Sequence, residues 1–277
     1  MVRNNGLSWL LLYNPQKAAF LGILLLSMRK NQAKLKEKNQ LIAREKQRSD
    51  ELLLNILPAE MANELKQNGF AKAQSFDNVT VFFSDFKDFT KISQQLTPSE
   101  LVKEIDICFK AFDKIIENYN IEKIKTVGDA YICVGGLDKT IKHDPQDIID
   151  AAIEIRNFVN ERIKQLTKGK QVYFEVRIGI HTGPIVAGIV GFKKFAYDIW
   201  GDTVNTAARM EENSVPGQIN VSAATFERVK ENYSFTYRGK IAAKNRGEIE
   251  MYFIHEKIKK TQKDNDKELI DDESQAV

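Results

Sequence analysis

The sequence predicts an α+β domain with a ferredoxin-like βαββαβ antiparallel sheet, extended by further strands and helices and preceded by a helical leader. The apolar run VTVFFS at residues 79–84 is rich in β-branched and aromatic residues, which is typical of a buried strand. Two long stretches with helical apolar spacing follow it, and each is succeeded by strand-like runs that contain glycine turns. This order of strand, helix, hairpin, helix and strand predicts one sheet that carries helices on one face.

The first long helix is predicted to begin at a capping box. Thr97 suits the N-cap, Pro98 the first helical position and Glu100 the third. The apolar face of this helix comprises Leu101, Ile105, Phe109, Phe112, Ile116 and Tyr119.

Two hairpins are expected to complete the sheet, and a second long helix is expected between them. Strands at residues 121–126 and 130–134 are predicted to pair around Val127, Gly128 and Asp129. The second helix is expected over residues 145–166. A further hairpin, with strands at residues 172–180 and 185–190, is predicted to turn at Thr182-Gly183-Pro184.

The charge of the chain is concentrated at its beginning. The net charge is +3, yet residues 1–50 contain ten Lys or Arg and three Asp or Glu, so that about +7 lies there and about −4 in the remainder. A nucleic-acid-binding domain is therefore not expected, because the folded part would have to carry the basic surface. The two cysteines, Cys108 and Cys133, lie in apolar runs and are too few for a disulfide framework, which indicates a reducing compartment.

Residues 1–30 are predicted as a possible membrane segment. The stretch at residues 7–28 is long enough to cross a hydrocarbon core of about 30 Å. Basic residues follow it at once, as the positive-inside rule expects on the cytoplasmic side. The polar residues 14–17 interrupt the stretch, so a truncated soluble helix is the alternative.

Residues 31–75 are expected to form a helical linker, and residues 257–277 a disordered tail. Residues 31–57 contain no Gly or Pro, and Leu35, Ile42 and Ile56 occupy a seven-residue series whose third place is taken by Ser49. This pattern suits a short two-stranded coiled coil or, alternatively, a solvated connecting helix.

Two groups of polar residues are candidates for chemistry. Asp85 ends the first predicted strand and Asp129 lies in the first hairpin turn, so the two carboxylates are expected to lie side by side and to suit Mg²⁺ or Mn²⁺. Asn205 and Arg209 fall one turn apart on a helix that Gly201 opens, where they suit a sugar and a phosphate. The alternatives are solvated turn carboxylates and an ordinary exposed helix face.

Four motifs occur in order: FSDFKDFT, KIKTVGDAY, VRIGIHTGPIVAGIVG and YDIWGDTVNTAARM. Together they resemble the catalytic domain of class III nucleotide cyclases, of the adenylate cyclase type, over residues 76–256. The preceding segment DELLLNILP at residues 50–58 resembles the junction that connects such domains to upstream sensors.

The resemblance implies two Mg²⁺ or Mn²⁺ ions per site. Asp85 and Asp129 match the metal-binding aspartates, and the carbonyl of Phe86 is an expected further ligand. Arg209 matches the residue that neutralises charge at the α-phosphorus, and Asn205 matches the residue that orients the ribose. The implied reaction converts ATP into 3′,5′-cyclic AMP and pyrophosphate.

The resemblance also implies how the nucleotide is bound. Lys125 and Asp198 match the pair that reads the purine, and this pair suits the N1 acceptor and N6 donor of adenine. Lys244 aligns with a triphosphate-binding lysine, and Lys193 is a weaker phosphate candidate.

A homodimer is implied, because in the family the metal aspartates come from one subunit and the other site residues from its partner. This chain carries both sets, so two complete sites are expected, with the leader helix as a second dimer contact. The catalytic domain is expected in the cytoplasm, attached to a membrane through the leader.

Three features complicate this interpretation. Asp88 stands where the family usually has glycine in the phosphate-binding loop, and the segment at residues 244–248 is less glycine-rich, so Arg246 is an alternative to Lys244. A guanylate cyclase and a catalytically weakened nucleotide-binding regulatory or dimerisation module are therefore the alternative functions. His181 is interpreted as a structural residue, since it lies within a predicted strand.

Overall fold

The computed structural model describes residues 15–168, 172–191, 195–243 and 247–258. They fall into two compact units, one within Met1–Phe70 and one within Ala71–Val277. The first unit contains α1 (Pro15–Leu54) and α2 (Ala59–Asn68). Helix α1 runs through residue 30 without a break, so the expected boundary between leader and linker is not a boundary of secondary structure. No residue of α1 is buried.

None of the helices in the described ranges combines the length and the apolar composition that a membrane crossing requires. Residues 7–14 of the expected membrane segment lie outside those ranges, and so does the expected disordered tail from residue 259 onward.

The second unit contains eight strands and five helices among its described residues. In chain order they are β1 (Gln74–Phe86), α3 (Phe89–Ser93), α4 (Pro98–Ile116), β2 (Ile121–Val127), β3 (Ala130–Gly135), α5 (Pro145–Lys168), β4 (Val176–Val190), β5 (Ala196–Trp200), α6 (Asp202–Glu212), β6 (Ile219–Ser222), α7 (Ala223–Val229), β7 (Tyr233–Ala243) and β8 (Gly247–Lys257).

The sheet has the predicted ferredoxin-like core. Its strand order is β2-β3-β1-β4-β6-β8-β7, with β5 paired to β4. The first four strands in this order form the antiparallel βαββαβ core, while β4 and β6 pair in parallel. The predicted fold class is therefore confirmed, and the further strands extend the core at its β4 side.

Both faces of the sheet are covered, although helices were expected on one face. The long helices α4 and α5 bury residues such as Phe112 and Ile155 in the larger core. Helix α6 contributes Ala207 to a separate core with Val81 and Ile185. The second face thus carries the helix on which two of the candidate site residues lie.

The amino-terminal end of α4 has the predicted capping box. The Thr97 hydroxyl accepts from the Glu100 backbone N–H at 3.3 Å, and the Glu100 carboxylate accepts from the Thr97 backbone N–H at 2.9 Å. These bonds satisfy two N–H groups that lack intrahelical partners, and Pro98 follows in the first turn.

The prediction of a second hairpin is wrong, because β4 is one strand of 15 residues. Thr182 and Gly183 pair with β1, and the pairing resumes at Ile185 opposite Phe76 after an irregularity in β1. Pro184 therefore falls where the ladder is interrupted, and its missing N–H costs no hydrogen bond there. Glycine and proline normally indicate a turn, but here the bulge in the neighbouring strand accommodates them.

Candidate active site

Asp85 and Asp129 are held in contact by the strand pairing. Ser84 of β1 lies opposite Tyr131 of β3, which places the turn between β2 and β3 beside the end of β1. The Phe86 backbone N–H donates to Asp129 Oδ2 at 3.3 Å, and the Asp85 carboxyl lies close enough to raise the pKa of Asp129. The two predicted metal ligands therefore lie side by side.

The proximity of these carboxyls has an electrostatic cost. Burial, and then the neighbouring carboxyl of Asp85, raise the pKa of Asp129 from 3.8 to about 7. A divalent cation would relieve this repulsion, and carboxylate oxygens are hard ligands that suit Mg²⁺ or Mn²⁺. No group of three or more His, Cys, Asp or Glu suited to a metal occurs in the described ranges, so backbone, water or substrate oxygens would have to complete the coordination.

Arg177 is a site residue that sequence reasoning missed. Its Nη2 donates to Asp85 Oδ2 at 2.7 Å and lies 2.9 Å from Glu211 Oε1. Burial raises the pKa of Glu211 to about 7, an effect that Arg177 opposes and Asp85 reinforces. The available signal was an arginine inside an apolar strand, between Val176 and Ile178.

Helix α6 presents Asn205 and Arg209 on its outer side. Asn205 is exposed and Arg209 half-buried, whereas Thr206, Ala207 and Met210 are buried against the sheet. Among the described residues, neither the Asn205 amide nor the Arg209 guanidinium has a side-chain partner. Both groups are therefore available to an incoming molecule.

Lys125 and Asp198 form an ion pair between β2 and β5. Lys125 Nζ of β2 lies 2.5 Å from Asp198 Oδ2 of β5. Asp198 Oδ1 also accepts from the Ile199 backbone N–H at 2.9 Å. A donor and an acceptor are thus fixed side by side, as reading the edge of a base requires.

The structure brings the candidate residues together in separate groups. Within the described part of the chain, no hydrogen bond or ion pair joins the Asp85–Asp129 pair to the Lys125–Asp198 pair or to Arg209. The phosphate candidates Lys193 and Lys244, and Arg246, lie outside the described residues.

Asp88 has a backbone conformation that favours glycine. Its φ is 55° and its ψ is 26°, and no other non-glycine residue in the described ranges has a positive φ. Its carboxylate lies 3.2 Å from Lys91 Nζ.

His181 is buried, and its Nδ1 lies 2.6 Å from Ser222 Oγ. This environment agrees with the interpretation of His181 as a structural residue.

The model of the adenylate and guanylate cyclase catalytic domain family matches residues 71–256. This chain belongs to that family. A second model, described as heme NO binding associated, matches residues 8–65 of this chain. The family interpretation of the four motifs is therefore confirmed. The segment before the catalytic domain is similar to a different family, the heme NO binding associated region.

The relatives of this chain include guanylate cyclases and adenylate cyclases. The chain is 33% identical over 252 residues to a soluble guanylate cyclase of Caenorhabditis elegans, a match that covers 88% of this chain and 36% of the relative. It is 36% identical over 211 residues to an adenylate cyclase of Mycobacterium tuberculosis, covering 76% of this chain and 47% of the relative. The chain thus spans between about a third and a half of the length of these relatives.

Solved structures show the same mixture of types. The adenylyl cyclase CyaB of P. aeruginosa aligns with a TM-score of 0.62 at 27% identity, over 69% of this chain and 99% of that one. The catalytic core of a rhodopsin-guanylyl cyclase with converted specificity, in complex with ATPαS, aligns with a TM-score of 0.60 at 29% identity, over 68% and 100%. The chain belongs to the cyclase family, but membership of this family does not determine whether ATP or GTP is the substrate.

The raised pKa of Asp129 predicts that the stability of the chain without metal depends on pH. Because the folded-state value of about 7 exceeds the ordinary 3.8, the stabilisation from protonation is fully present below about pH 4 and is lost as pH rises through about 7. We expect the melting temperature measured by circular dichroism in a chelator to fall between about pH 5 and about pH 8, and to fall less in Asp129→Asn. The control variant Asp106→Asn, at an exposed position, should show the same pH dependence of the melting temperature as the unmodified chain. If Asp129→Asn also showed that same pH dependence, the raised pKa could not belong to Asp129.

Proposed function

We propose that this chain is an adenylate cyclase, which converts ATP into 3′,5′-cyclic AMP and pyrophosphate. The observation that supports the choice of ATP is the contact between Lys125 and Asp198, which places an ammonium donor beside a carboxylate acceptor. The reaction type follows from the family, whereas the nucleotide and the roles of individual residues are the proposal.

The complementarity of this pair favours adenine. An ammonium donates to the adenine N1 acceptor, while a carboxylate accepts from the N6 amino group. Guanine presents an N1–H donor and an O6 acceptor, so both contacts would be mismatched. Each mismatch leaves a polar group unpaired, at a cost of about 1–3 kcal/mol.

The proposed chemistry is an internal displacement at phosphorus. The ribose 3′-hydroxyl loses its proton to solvent, its oxygen forms a bond to the α-phosphorus, and the bond from that phosphorus to the bridging oxygen of pyrophosphate breaks, so that pyrophosphate leaves. Mg²⁺ or Mn²⁺ held by Asp85, Asp129 and the Phe86 carbonyl would supply Lewis-acid activation and charge neutralisation. Arg209 would donate planar N–H groups to the α-phosphate as charge develops. Asn205, one helical turn earlier, would hold the ribose in line.

The division of the site residues into separate groups supports a homodimeric site. Asn205 and Arg209 lie on the outer side of α6 without partners among the described residues, and the acidic pair lies at the end of β1. In a two-fold dimer, the acidic pair of one protomer and the remaining groups of its partner would face each other, twice.

The helical segment at residues 31–75 is proposed to be a linker that also contributes to dimerisation. Leu35 and Ile42 of α1 are seven residues apart and are 59% and 64% exposed, whereas Ile56 of the expected series lies beyond the end of α1 at Leu54. Exposed apolar residues at this spacing suit a second copy of the same helix. The match of residues 8–65 to a family region separate from the catalytic domain supports this division.

Two alternatives have specific support. Guanylate cyclases are among the relatives, including the one from C. elegans, which favours a GTP-using enzyme. The left-handed Asp88 favours a weakened module that binds nucleotide, because a carboxylate replaces the glycine expected in a phosphate-binding loop.

The base-reading proposal predicts a change of nucleotide preference on substitution. The purified chain with Mn²⁺ should turn over ATP faster than GTP, and Lys125→Glu with Asp198→Cys should shift the ratio of kcat/KM toward GTP. Reversing one contact that contributes about 1–3 kcal/mol should change the ratio of the kcat/KM values by about 5- to 150-fold. Lys103→Glu, on the exposed side of α4, is the charge control and should keep the original preference. Faster turnover of GTP by the unmodified chain would reject the proposal.

The shared site predicts complementation between inactive variants. Chains with Asp85→Asn and Asp129→Asn should be inactive alone, as should chains with Arg209→Ala. Random pairing of equal amounts should restore about a quarter of the normal rate, because half of the dimers would contain one intact site of two. Mixed dimers that form, as seen by differential tagging and co-purification, but remain inactive would contradict a site built from two chains.

Asp88 is predicted to limit nucleotide binding. Asp88→Gly should lower the KM for ATP several-fold, because it removes a carboxylate and relieves a left-handed backbone that costs roughly 1 kcal/mol. Asp88→Asn removes the charge but keeps a side chain on the left-handed backbone, so it separates the effect of charge from the effect of backbone strain. KM and kcat are measured for both variants. An unmodified chain that binds ATP without product, together with product formation by Asp88→Gly, would favour the weakened module instead.

A further inference from the structure

A network of hydrogen bonds between side chains connects two of the three histidines in the sequence. It begins at the His143 ring, passes through four hydroxyls that are at most 2% exposed, and ends at the His181 ring. The five contacts, in order, are His143 Nε2 to Thr80 Oγ1 at 2.8 Å, Thr80 Oγ1 to Thr182 Oγ1 at 3.0 Å, Thr182 Oγ1 to Thr225 Oγ1 at 3.0 Å, Thr225 Oγ1 to Ser222 Oγ at 3.4 Å, and Ser222 Oγ to His181 Nδ1 at 2.6 Å.

The histidine–hydroxyl network ends on the face of the sheet that carries α6. Thr80 and Thr182 lie opposite each other in β1 and β4. His181 precedes Thr182, and consecutive residues of a strand point to opposite faces of the sheet, so the two side chains lie on different faces. Gly179 shares the face of His181, and a Cβ atom on Gly179 would lie 2.5 Å from the carbonyl carbon of Met210 in α6. The His181 ring therefore lies on the same side of β4 as α6.

The junction between β6 and α7 carries the network from one face to the other. Ser222 is the last residue of β6 and the N-cap of α7, and its Oγ accepts from the Thr225 backbone N–H at 3.4 Å. This cap brings the Thr225 hydroxyl beside Ser222 Oγ. The end of the strand and the first turn of the helix thus join the two halves of the network.

The number of protons in the network limits its possible arrangements. Five contacts need five donated protons, and the four hydroxyls supply one each. Within the described ranges, none of these hydroxyls has an acceptor outside the network. One imidazole must therefore donate into the network while the other accepts, because any other arrangement leaves a buried polar group unpaired.

This proton count couples the two rings. If His143 Nε2 donates, every hydroxyl points toward His181, which accepts at Nδ1 and carries its proton on Nε2. If His181 Nδ1 donates, every hydroxyl is reversed, and His143 carries its proton on Nδ1. A charged His143 has protons on both ring nitrogens, so only the first arrangement is then possible.

His143 is the half-buried end of the network. Its ring packs against the end of β3, where a Cβ atom on Gly136 would lie 2.6 Å from His143 Cγ. Burial lowers the pKa of His143 from 6.5, the charge of Asp144 opposes this effect, and Arg228 of α7 adds to it. From β1 the ring meets the uncharged Thr80. The ring is therefore mainly neutral at neutral pH and gains a proton as the pH falls below 6.5.

His181 is the buried end of the network and is 8% exposed. Its ring lies beside the uncharged Ser222 of β6. A Cβ atom on Gly183 would lie 3.5 Å from His181 Nε2 and 2.6 Å from Thr203 Oγ1, so the ring is also close to the uncharged first turn of α6 at Thr203. A change in the tautomer of His181 would thus occur next to α6.

We propose that this network is a proton-sensitive relay, in which the charge of His143 determines the tautomer of His181 on the opposite side of the sheet. A change of pH at the half-buried ring is transmitted to a buried ring beside the helix that bears Asn205 and Arg209. The relay does not rest on the proposed function, because none of its residues is assigned to the metal or to the nucleotide.

The test is nuclear magnetic resonance of the full chain with ¹⁵N-labelled histidine rings, titrated from about pH 8 to about pH 4.5. Thr225→Val replaces the third hydroxyl by a methyl group. A charged His143 would then leave the Thr182 hydroxyl without an acceptor, so the pKa of His143 should fall by about one to two units. This shift is expected although Thr225 lies three contacts away from His143 along the network. Thr225→Ser retains the hydroxyl and should leave the pKa of His143 unchanged.

His255 is the internal control, because its Nε2 lies 2.8 Å from Thr236 Oγ1, outside the network. The pKa of His255 should be the same in the unmodified chain and in Thr225→Val. The matched control variant Thr236→Val removes an exposed hydroxyl from His255 and should leave the titration of His143 unchanged. In the unmodified chain at about pH 8, His143 and His181 should show the same tautomer, as read from their ring nitrogen signals.

Circular dichroism shows whether each variant folds. If Thr225→Val does not fold, Thr182→Val interrupts the same network one contact earlier and should also lower the pKa of His143. An unchanged pKa of His143 in the folded variant, an equal fall in Thr225→Ser, or different tautomers of His143 and His181 in the unmodified chain would overturn the inference. The test measures no catalysis, so failure of the proposed function would leave its outcome unchanged.

Discussion

Two carboxyls held in contact at the end of β1 are the constraint around which the catalytic unit is organised. Strand pairing brings Asp129 against Asp85, and burial together with mutual repulsion raises the pKa of Asp129 to about 7. Such a pair is unfavourable in an apolar setting unless positive charge lies close by. Arg177 supplies that charge from β4, and the packing of α6 at Gly179 determines what Arg177 can contact.

The parts of the structure that depend on local patterns could be predicted from the sequence. The capping box at Thr97 and the turn at Gly128 are set by residues close together in the chain, and the order of elements then limits the possible sheets. Pro184 misled the prediction because the feature that accommodates it is a bulge in another strand, about a hundred residues away. No local pattern in the sequence reveals such a bulge.

The site was only partly predictable for the same reason. Asp85, Asp129, Asn205 and Arg209 belong to motifs whose spacing is informative by itself. Arg177 and Glu211 acquire their meaning from a contact between β4 and α6, and in the sequence Glu211 is an ordinary acidic residue near a helix end. The contact of Lys125 with Asp198 also joins distant strands, and the family resemblance had grouped these two residues only by their expected role.

The position of β4 in the sheet has a consequence for synthesis of the chain on the ribosome. Strands β1 and β3 can pair as soon as Gly135 has emerged, which brings the two aspartates together early. Their guanidinium counter-ion emerges only with Arg177, and Glu211 emerges later still. A nascent chain of that length would therefore carry the two carboxyls without their counter-ion, with cations of the surrounding solution as the available source of neutralising charge.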